Sequence, residues 1–173
     1  MKRFDDLDTA LLPDDGRRYL PMLSSLKFLE EHQNILMIGN SGTGKTHLAI
    51  ATGIHACEQD YRVVFKSAAG LVHELIEAKQ ERRLTVLQTN LKRVDLLILD
   101  ELGYVTFDLH GAELLFLLLA SRHEMSSTMV TSNLMFSDWI KVFHDPILTA
   151  ALLDRITHRA HVMNMNGTSF RQR

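Results

Sequence analysis

Cysteine is nearly missing from this chain: Cys57 is the sole one among 173 residues. That excludes an internal disulfide and any cysteine-built zinc site, and it fits a reducing compartment. Long apolar runs are missing too. The longest, Leu114 to Ala120, falls far short of the roughly 18 residues that a membrane span needs. The opening residues, MKRFDDLD, are charged from the start and lack the apolar centre of a signal peptide. Nor does charge of one sign dominate. The formal net charge is −2, so contact with nucleic acid must come from a local patch. No internal repeat, low-complexity tract or interdomain linker is present. The expectation is a cytoplasmic protein with no membrane partner.

What is present suits one ordinary soluble domain, with 46% hydrophobic and 23% charged residues. Residues 1–19, punctuated by Pro13 and Gly16, read as an N-terminal arm lying on the surface of a domain that spans 20–173. Leu20 to Glu31 reads as a first helix. Asn34 to Ile38 is a compact strand ending at Gly39, and Lys45 to Gln59 is a helix packed through small residues. A short strand, Arg62 to Phe65, precedes a helix whose stripe is Leu71, Val72, Leu75 and Ile76. Arg83 to Arg93 continues as another helix. Asp95 to Asp100, DLLILD, has no polar alternation and so belongs in the middle of a parallel sheet. A leucine-rich helix over 109–123, a strand at Thr128–Ser132, helices within 137–158 and a strand at His161–Met165 complete the pattern. Trp139 and Phe143, four apart, read as a core face. Strands alternating with helices predict a three-layer αβα sandwich on a mainly parallel five-stranded sheet.

The chemistry begins at Gly39-Asn40-Ser41-Gly42-Thr43-Gly44-Lys45-Thr46, a full match to G-x-x-x-x-G-K-[ST] between a strand and a helix. Such a loop wraps phosphates with backbone N–H groups at the positive end of a helix. Lys45 would reach the β- and γ-phosphates of ATP, the Thr46 hydroxyl would bind Mg²⁺, and the backbone N–H of His47 would meet the α-phosphate. A second buried strand should end in an acid. Asp100 supplies it as a metal partner, and Glu101 beside it suits the base that deprotonates an attacking water. Between these strands, Thr131-Ser132-Asn133 ends a third, with Asn133 the candidate to position that water. Tyr104 and Phe107 follow the acidic pair and suit either packing or coupling to a neighbour.

Four blocks, GNSGTGKTHLA, DLLILDELGY, TSNL-x-F and DPILTAALLDRITHRAHV, resemble the IstB-like ATP-binding proteins. These are AAA+ ATPases that assist IS21-type transposases and are relatives of the DnaC helicase loaders. The resemblance runs from about Phe4 to Arg171. It implies an AAA+ core with the strand order of the additional-strand P-loop class, and self-association into an oligomer on double-stranded DNA. It also implies ATP hydrolysis between subunits and delivery of a partner: a transposase, or in the other branch a replicative helicase. The arginine in DR, Arg155, matches one that reaches the γ-phosphate of a neighbouring subunit; the competing reading is an ion pair with Asp154 or another acid. Family members usually carry a further N-terminal region ahead of the position of Phe4. Without it, ATP binding is expected to persist, whereas transposase recruitment is put in question. A nucleotide-gated binding module with little turnover is therefore a competing expectation.

The resemblance also places inserted helices after the second strand against DNA. Lys79, Arg82, Arg83, Lys92 and Arg93 gather there with no interleaved aromatic, which suits phosphate contact and not base stacking; the competing reading is a solvated charged face. His158 and His161 suggest a metal by spacing alone. They straddle a helix–strand boundary and bring no cysteine, so zinc on that pair is not expected.

Overall fold

A computed structural model describes residues 2–169. Met1 and residues 170–173, the end of the expected domain and of the resemblance, lie outside them. Its strands are β1 (Asn34–Ile38), β2 (Val63–Ser67), β3 (Leu96–Leu102), β4 (Ser127–Ser132) and β5 (Ala160–Asn164). They form one sheet in the order β2-β3-β4-β1-β5, every pair parallel. The helices are α1 (Asp14–Arg18), α2 (Leu20–Ser25), α3 (Lys27–Glu30), α4 (Lys45–Glu58), α5 (Ala68–Gln80), α6 (Leu84–Lys92), α7 (Leu109–Ser121), α8 (Ile140–Phe143) and α9 (Pro146–Thr157). Among the described residues, no helix is long and apolar enough to cross a membrane.

Unbroken apolar strands follow from burial on both faces. Side chains alternate across each strand, so Leu36, Ile38, Leu97, Leu99 and Val130 face a core closed by α5, α7, α8 and α9. Ile35, Met37, Leu96, Ile98 and Met129 face the other, closed by α2, α3 and α4. That is the expected αβα sandwich, and its sheet is wholly parallel. β4 is buried along its whole length although it carries Ser127, Thr128, Thr131 and Ser132. It tolerates them because each hydroxyl has a partner, such as Ser127 Oγ donating to Phe28 O and Ser132 Oγ to Leu102 O. Trp139 and Phe143 are fully buried in the first core, as their spacing suggests. Phe107 packs edge-on against Phe143.

The first helix expected over 20–31 is broken in two at Leu26, which takes a left-handed φ of 56°. Ser25 Oγ donates to Met22 O and accepts from the Lys27 N–H, closing the bend, and the kink buries Leu26. Residues 2–13 wrap the second core as two short 3₁₀ turns. Phe4 and Leu7 pack on it, Leu12 is buried, and Asp15 accepts from the Asn164 N–H at the end of β5.

Arg122 is the one buried arginine among the described residues. It donates to Leu91 O (2.6 Å), Val94 O (3.0 Å), Ser127 O (2.7 Å) and Thr128 Oγ1 (3.3 Å). Burial pushes its pKa down to about 10, with Asp95 opposing. Those four acceptors tie the ends of α6 and α7 to the start of β4.

Candidate functional site

Parallel strands deliver their C-terminal ends to one edge of the sheet, and there the chain gathers its polar residues. β1 runs directly into the loop 39–44, which enters α4 at Gly44. Gly42 and Gly44 take φ of 79° and 98°, conformations that a side chain would strain. Gly39 is needed for a different reason. A Cβ there would lie 2.2 Å from the Met165 carbonyl carbon and 2.4 Å from its oxygen, both backbone. The loop is stapled to the segment after β5: the Asn40 side chain exchanges two hydrogen bonds with the Gly167 backbone, and the Asn40 N–H donates to Asn166 Oδ1. Asn40 and Thr43, whose hydroxyl donates to Asn40 O, therefore hold the loop's shape with their side chains. Gly42, Gly44, Lys45, Thr46 and His47 line a cleft of about 260 Å³.

Lys45 is buried, and its Nζ donates to Gly39 O (2.7 Å) and Asn40 O (2.6 Å). Burial holds its pKa below the ordinary lysine value, with the Asp100 charge opposing. Thr46 Oγ1 lies 3.0 and 3.2 Å from the two carboxylate oxygens of Asp100 on β3. A hydroxyl and a carboxylate side by side are hard oxygen donors of the kind Mg²⁺ prefers, so the pair fits that ion.

Glu101 departs from the plain strand. It takes a left-handed φ of 60° inside β3, where the register with β4 shifts between Leu99 and Leu102. This bulge turns Glu101 into the cleft and out to solvent while its neighbours Asp100 and Leu102 stay buried. Thr131 on β4 fastens the bulge. Its hydroxyl donates to Asp100 Oδ1 at 2.5 Å and accepts from the Glu101 N–H at 2.9 Å. Thr131 lines the cleft, as do Lys2 and Leu7 of the arm and Tyr104, whose hydroxyl is 3.0 Å from Ser41 Oγ. Sequence reasoning did not assign Thr131; its signal was a polar residue in phase on a buried strand next to the acidic one.

Asn133 lies just past β4, exposed, with Oδ1 against Gly103. His47 turns its ring to the carbonyl of Arg3. Arg155 is elsewhere. It donates to Ala151 O and its guanidinium stacks 5.4 Å from the centre of the Phe116 ring, and it makes no ion pair with Asp154. The Asn34 side chain, at the first residue of β1, donates to Ile156 O. The end of α9 therefore sits at the N-terminal edge of the sheet, about 16 Å of strand away from the loop at the other edge. All five cations of the 79–93 region are exposed, but they divide. Lys79, Arg82 and Arg83 cluster at the α5–α6 junction, where Arg83 pairs with Glu81. Lys92 and Arg93 lie at the far end of α6, a helix of about 13 Å.

The whole of residues 1–173 matches the family model of the IstB-like ATP binding protein. The chain belongs to that family. It is 39% identical over 171 residues to the ATP-binding protein of insertion sequence IS21 from Pseudomonas aeruginosa, covering 99% of this chain and 64% of that protein. Identity to the IS232 ATP-binding protein of Bacillus thuringiensis subsp. berliner is also 39%, over 170 residues, 98% of this chain and 68% of the relative. The chain thus spans about two thirds of these relatives' length. In fold it is similar to DnaI (TM-score 0.78, 21% identity, 94% of this chain and 90% of that one). It is also similar to the DnaC helicase loader (TM-score 0.68, 20% identity, 88% and 91%). DnaA bound to AMPPCP and single-stranded DNA has a TM-score of 0.74 at 20% identity, over 94% of this chain and 49% of that one. The chain has the P-loop AAA+ fold of these proteins.

Proposed function

We propose that this IstB-like chain hydrolyses ATP in a site completed by a second copy. We further propose that it assembles on double-stranded DNA in the cytoplasm to assist an IS21-type transposase in choosing its target. The observation that carries hydrolysis is the bulge at Glu101. A carboxylate held beside the Asp100–Thr46 pair, exposed to solvent and fixed by Thr131, is what a general base for water requires. In this reading the 39–47 backbone binds the phosphates and Lys45 meets the β- and γ-oxygens. Thr46 and Asp100 hold Mg²⁺, which when bound neutralises charge on the phosphate oxygens. Glu101 takes the proton from the attacking water, and Asn133, beside Gly103, orients it. Arg155 lies at the opposite edge of the sheet from its own loop, so a role at the γ-phosphate must be played in a neighbour's site. The insertion-sequence relatives favour a transposase as partner; the likeness to the helicase loaders is one of fold. The exposed cations Lys79, Arg82, Arg83, Lys92 and Arg93 suit phosphate contact with duplex DNA.

Mixing two inactive variants tests the shared site. Glu101→Gln and Arg155→Ala should each bind ATP and each lose turnover, by roughly 10³-fold or more for a finger arginine. In a random mixture about a quarter of head-to-tail interfaces join an intact Glu101 to an intact Arg155, so turnover should return. A mixture as inactive as its components, or an Arg155→Ala variant as active as the parent, overturns the shared site.

A further inference from the structure

At the sheet's N-terminal edge lies a cluster that the nucleotide site does not use. His123 and Glu124 occupy the turn after α7, and His158 caps the end of α9. Glu124 Oε1 lies 3.0 Å from His158 Nε2 and 4.0 Å from His123 Nε2. The three donor atoms all fall within 4.8 Å of one another, the one such group of histidine, cysteine or acidic residues among the described residues. The two imidazole rings lie with centres 5.3 Å apart, tilted by 54° to each other. We infer that His123, Glu124 and His158 form a binding site for a borderline-soft divalent cation, Zn²⁺ in the first place.

The donor set selects the metal. Two imidazole nitrogens and one carboxylate oxygen are the ligands of open, three-coordinate protein zinc sites, whose fourth position takes water or an outside donor. Mg²⁺ and Ca²⁺ prefer oxygen throughout and are poorly served by two nitrogens. Zinc bonds of about 2.0–2.1 Å put tetrahedral ligands roughly 3.3 Å apart. The pair at 3.0 Å already meets that spacing, and the remaining donor atoms, all within 4.8 Å of one another, need at most about 1.5 Å of movement, which the half-exposed Glu124 and His158 can supply.

The backbone under the cluster is fixed. Arg122, immediately before His123, is buried and saturated by four acceptors, which anchors the turn. Glu124 is held at a left-handed φ of 61°, a strained conformation that aims its carboxylate back at α9. On the other side, Asn34 fastens the end of α9 through Ile156 O. Donors mounted on anchored backbone lose less freedom on binding, which favours affinity. The pair His158 and His161 does not make this site, because His161 turns away to Gln33 Oε1. The partner of His158 comes from a turn some thirty residues earlier in the chain.

Metal binding itself is the readout, so the outcome does not depend on hydrolysis. Untagged protein stripped with a chelator is titrated with ZnCl₂ against a fluorescent competitor, and with CoCl₂ followed by visible absorption. One equivalent should bind with Kd below about 10 µM, and Co²⁺ should develop the ligand-field bands of a site of low coordination number. His158→Ala, His123→Ala and Glu124→Gln should each weaken binding by at least roughly 10-fold. Glu124 and His158 are exposed and His123 is partly so, and circular dichroism checks that each variant remains folded. His73→Ala, His110→Ala and Cys57→Ala remove exposed donors elsewhere and should leave binding unchanged. Absence of saturable binding would mean that His158 and Glu124 form an ion pair only, and would overturn the site. Unaltered affinity in both histidine variants would overturn it equally.

Discussion

Replacing Thr131 with valine keeps the shape of the side chain and removes one oxygen. That oxygen makes two bonds in a buried place: it donates to Asp100 Oδ1 at 2.5 Å and accepts from the Glu101 N–H at 2.9 Å. A hydrogen bond to a charged group contributes about 1.5–3 kcal/mol, and an orphaned, half-buried N–H costs about 1 kcal/mol more. Asp100 retains Thr46, so its charge is not left alone. The sum is a loss of about 2.5–4 kcal/mol. With a urea slope near 2 kcal/mol per M, the unfolding midpoint should fall by about 1–2 M. The catalytic consequence follows from strain. A glutamate at φ 60° stores about 1–3 kcal/mol, and Thr131 holds it there. Released, the bulge relaxes and Glu101 swings from its position, so turnover should fall at least about 10-fold while nucleotide affinity changes less than about 3-fold. Thr131→Ser, which restores the oxygen, should recover most of both. A valine variant with the parent's midpoint and the parent's turnover would refute the account of the bulge.

Two further substitutions follow from the loop. Gly39→Ala forces a Cβ to within 2.2 Å of the Met165 backbone; ordinary contact needs more than a further ångström, and no side chain can give way. It should cost about 3 kcal/mol or more in denaturant unfolding and weaken nucleotide binding, because the staple from Asn40 to Gly167 must move. A variant within about 1 kcal/mol of the parent would show that the two segments separate easily. Lys45→Met should abolish nucleotide binding and alter the alkaline stability profile. Burial lowers the Lys45 pKa, so between that depressed value and the ordinary 10.5 the unfolded chain binds more protons than the folded one. The parent should therefore gain stability relative to Lys45→Met as pH rises through that interval. A relative loss there would contradict the buried placement of the ammonium.

The interior of the fold was readable because its physics is local. Runs such as NILMI and LLIL admit no wet face, and a glycine-rich loop between strand and helix has one common use. Features set by pairing between distant segments were not readable. No glycine or proline marks the bulge, and a glutamate at positive φ is imposed by β4, thirty residues on. Three polar residues end β4. Only the register, with Leu99 opposite Val130, tells that Thr131 faces Asp100 while Asn133 falls beyond the strand. The break at Leu26 likewise comes from burial of that leucine against the second core, which its helical neighbours do not announce. The five cations of the 79–93 region looked like one patch in the sequence and are two, because a helix separates them.

The two edges of the sheet constrain how copies can meet. The nucleotide loop leaves the C-terminal end of β1, and Arg155 sits by the N-terminal end of the same strand, beside Phe116 and near the His123–Glu124–His158 cluster. A twofold interface pairs residues reciprocally, so it brings Arg155 of one copy to the loop of another only where a single face spans both edges of the sheet, about 16 Å of strand apart. A head-to-tail contact needs no such face, and head-to-tail contacts repeat: each copy would offer its loop to one neighbour and its arginine to the next. The product is a ring if the rotation closes and a helical filament if it does not. A surface that follows a duplex is of that kind, since the same cations then recur along the DNA at a fixed spacing. The proposed zinc site lies on the donating edge, tying the α7–β4 turn to the end of the helix that carries Arg155. Occupancy there would stiffen the presenting edge without touching the nucleotide. The proposed hydrolysis and metal binding would thus be separable by mutation even though both would concern the same junction between copies.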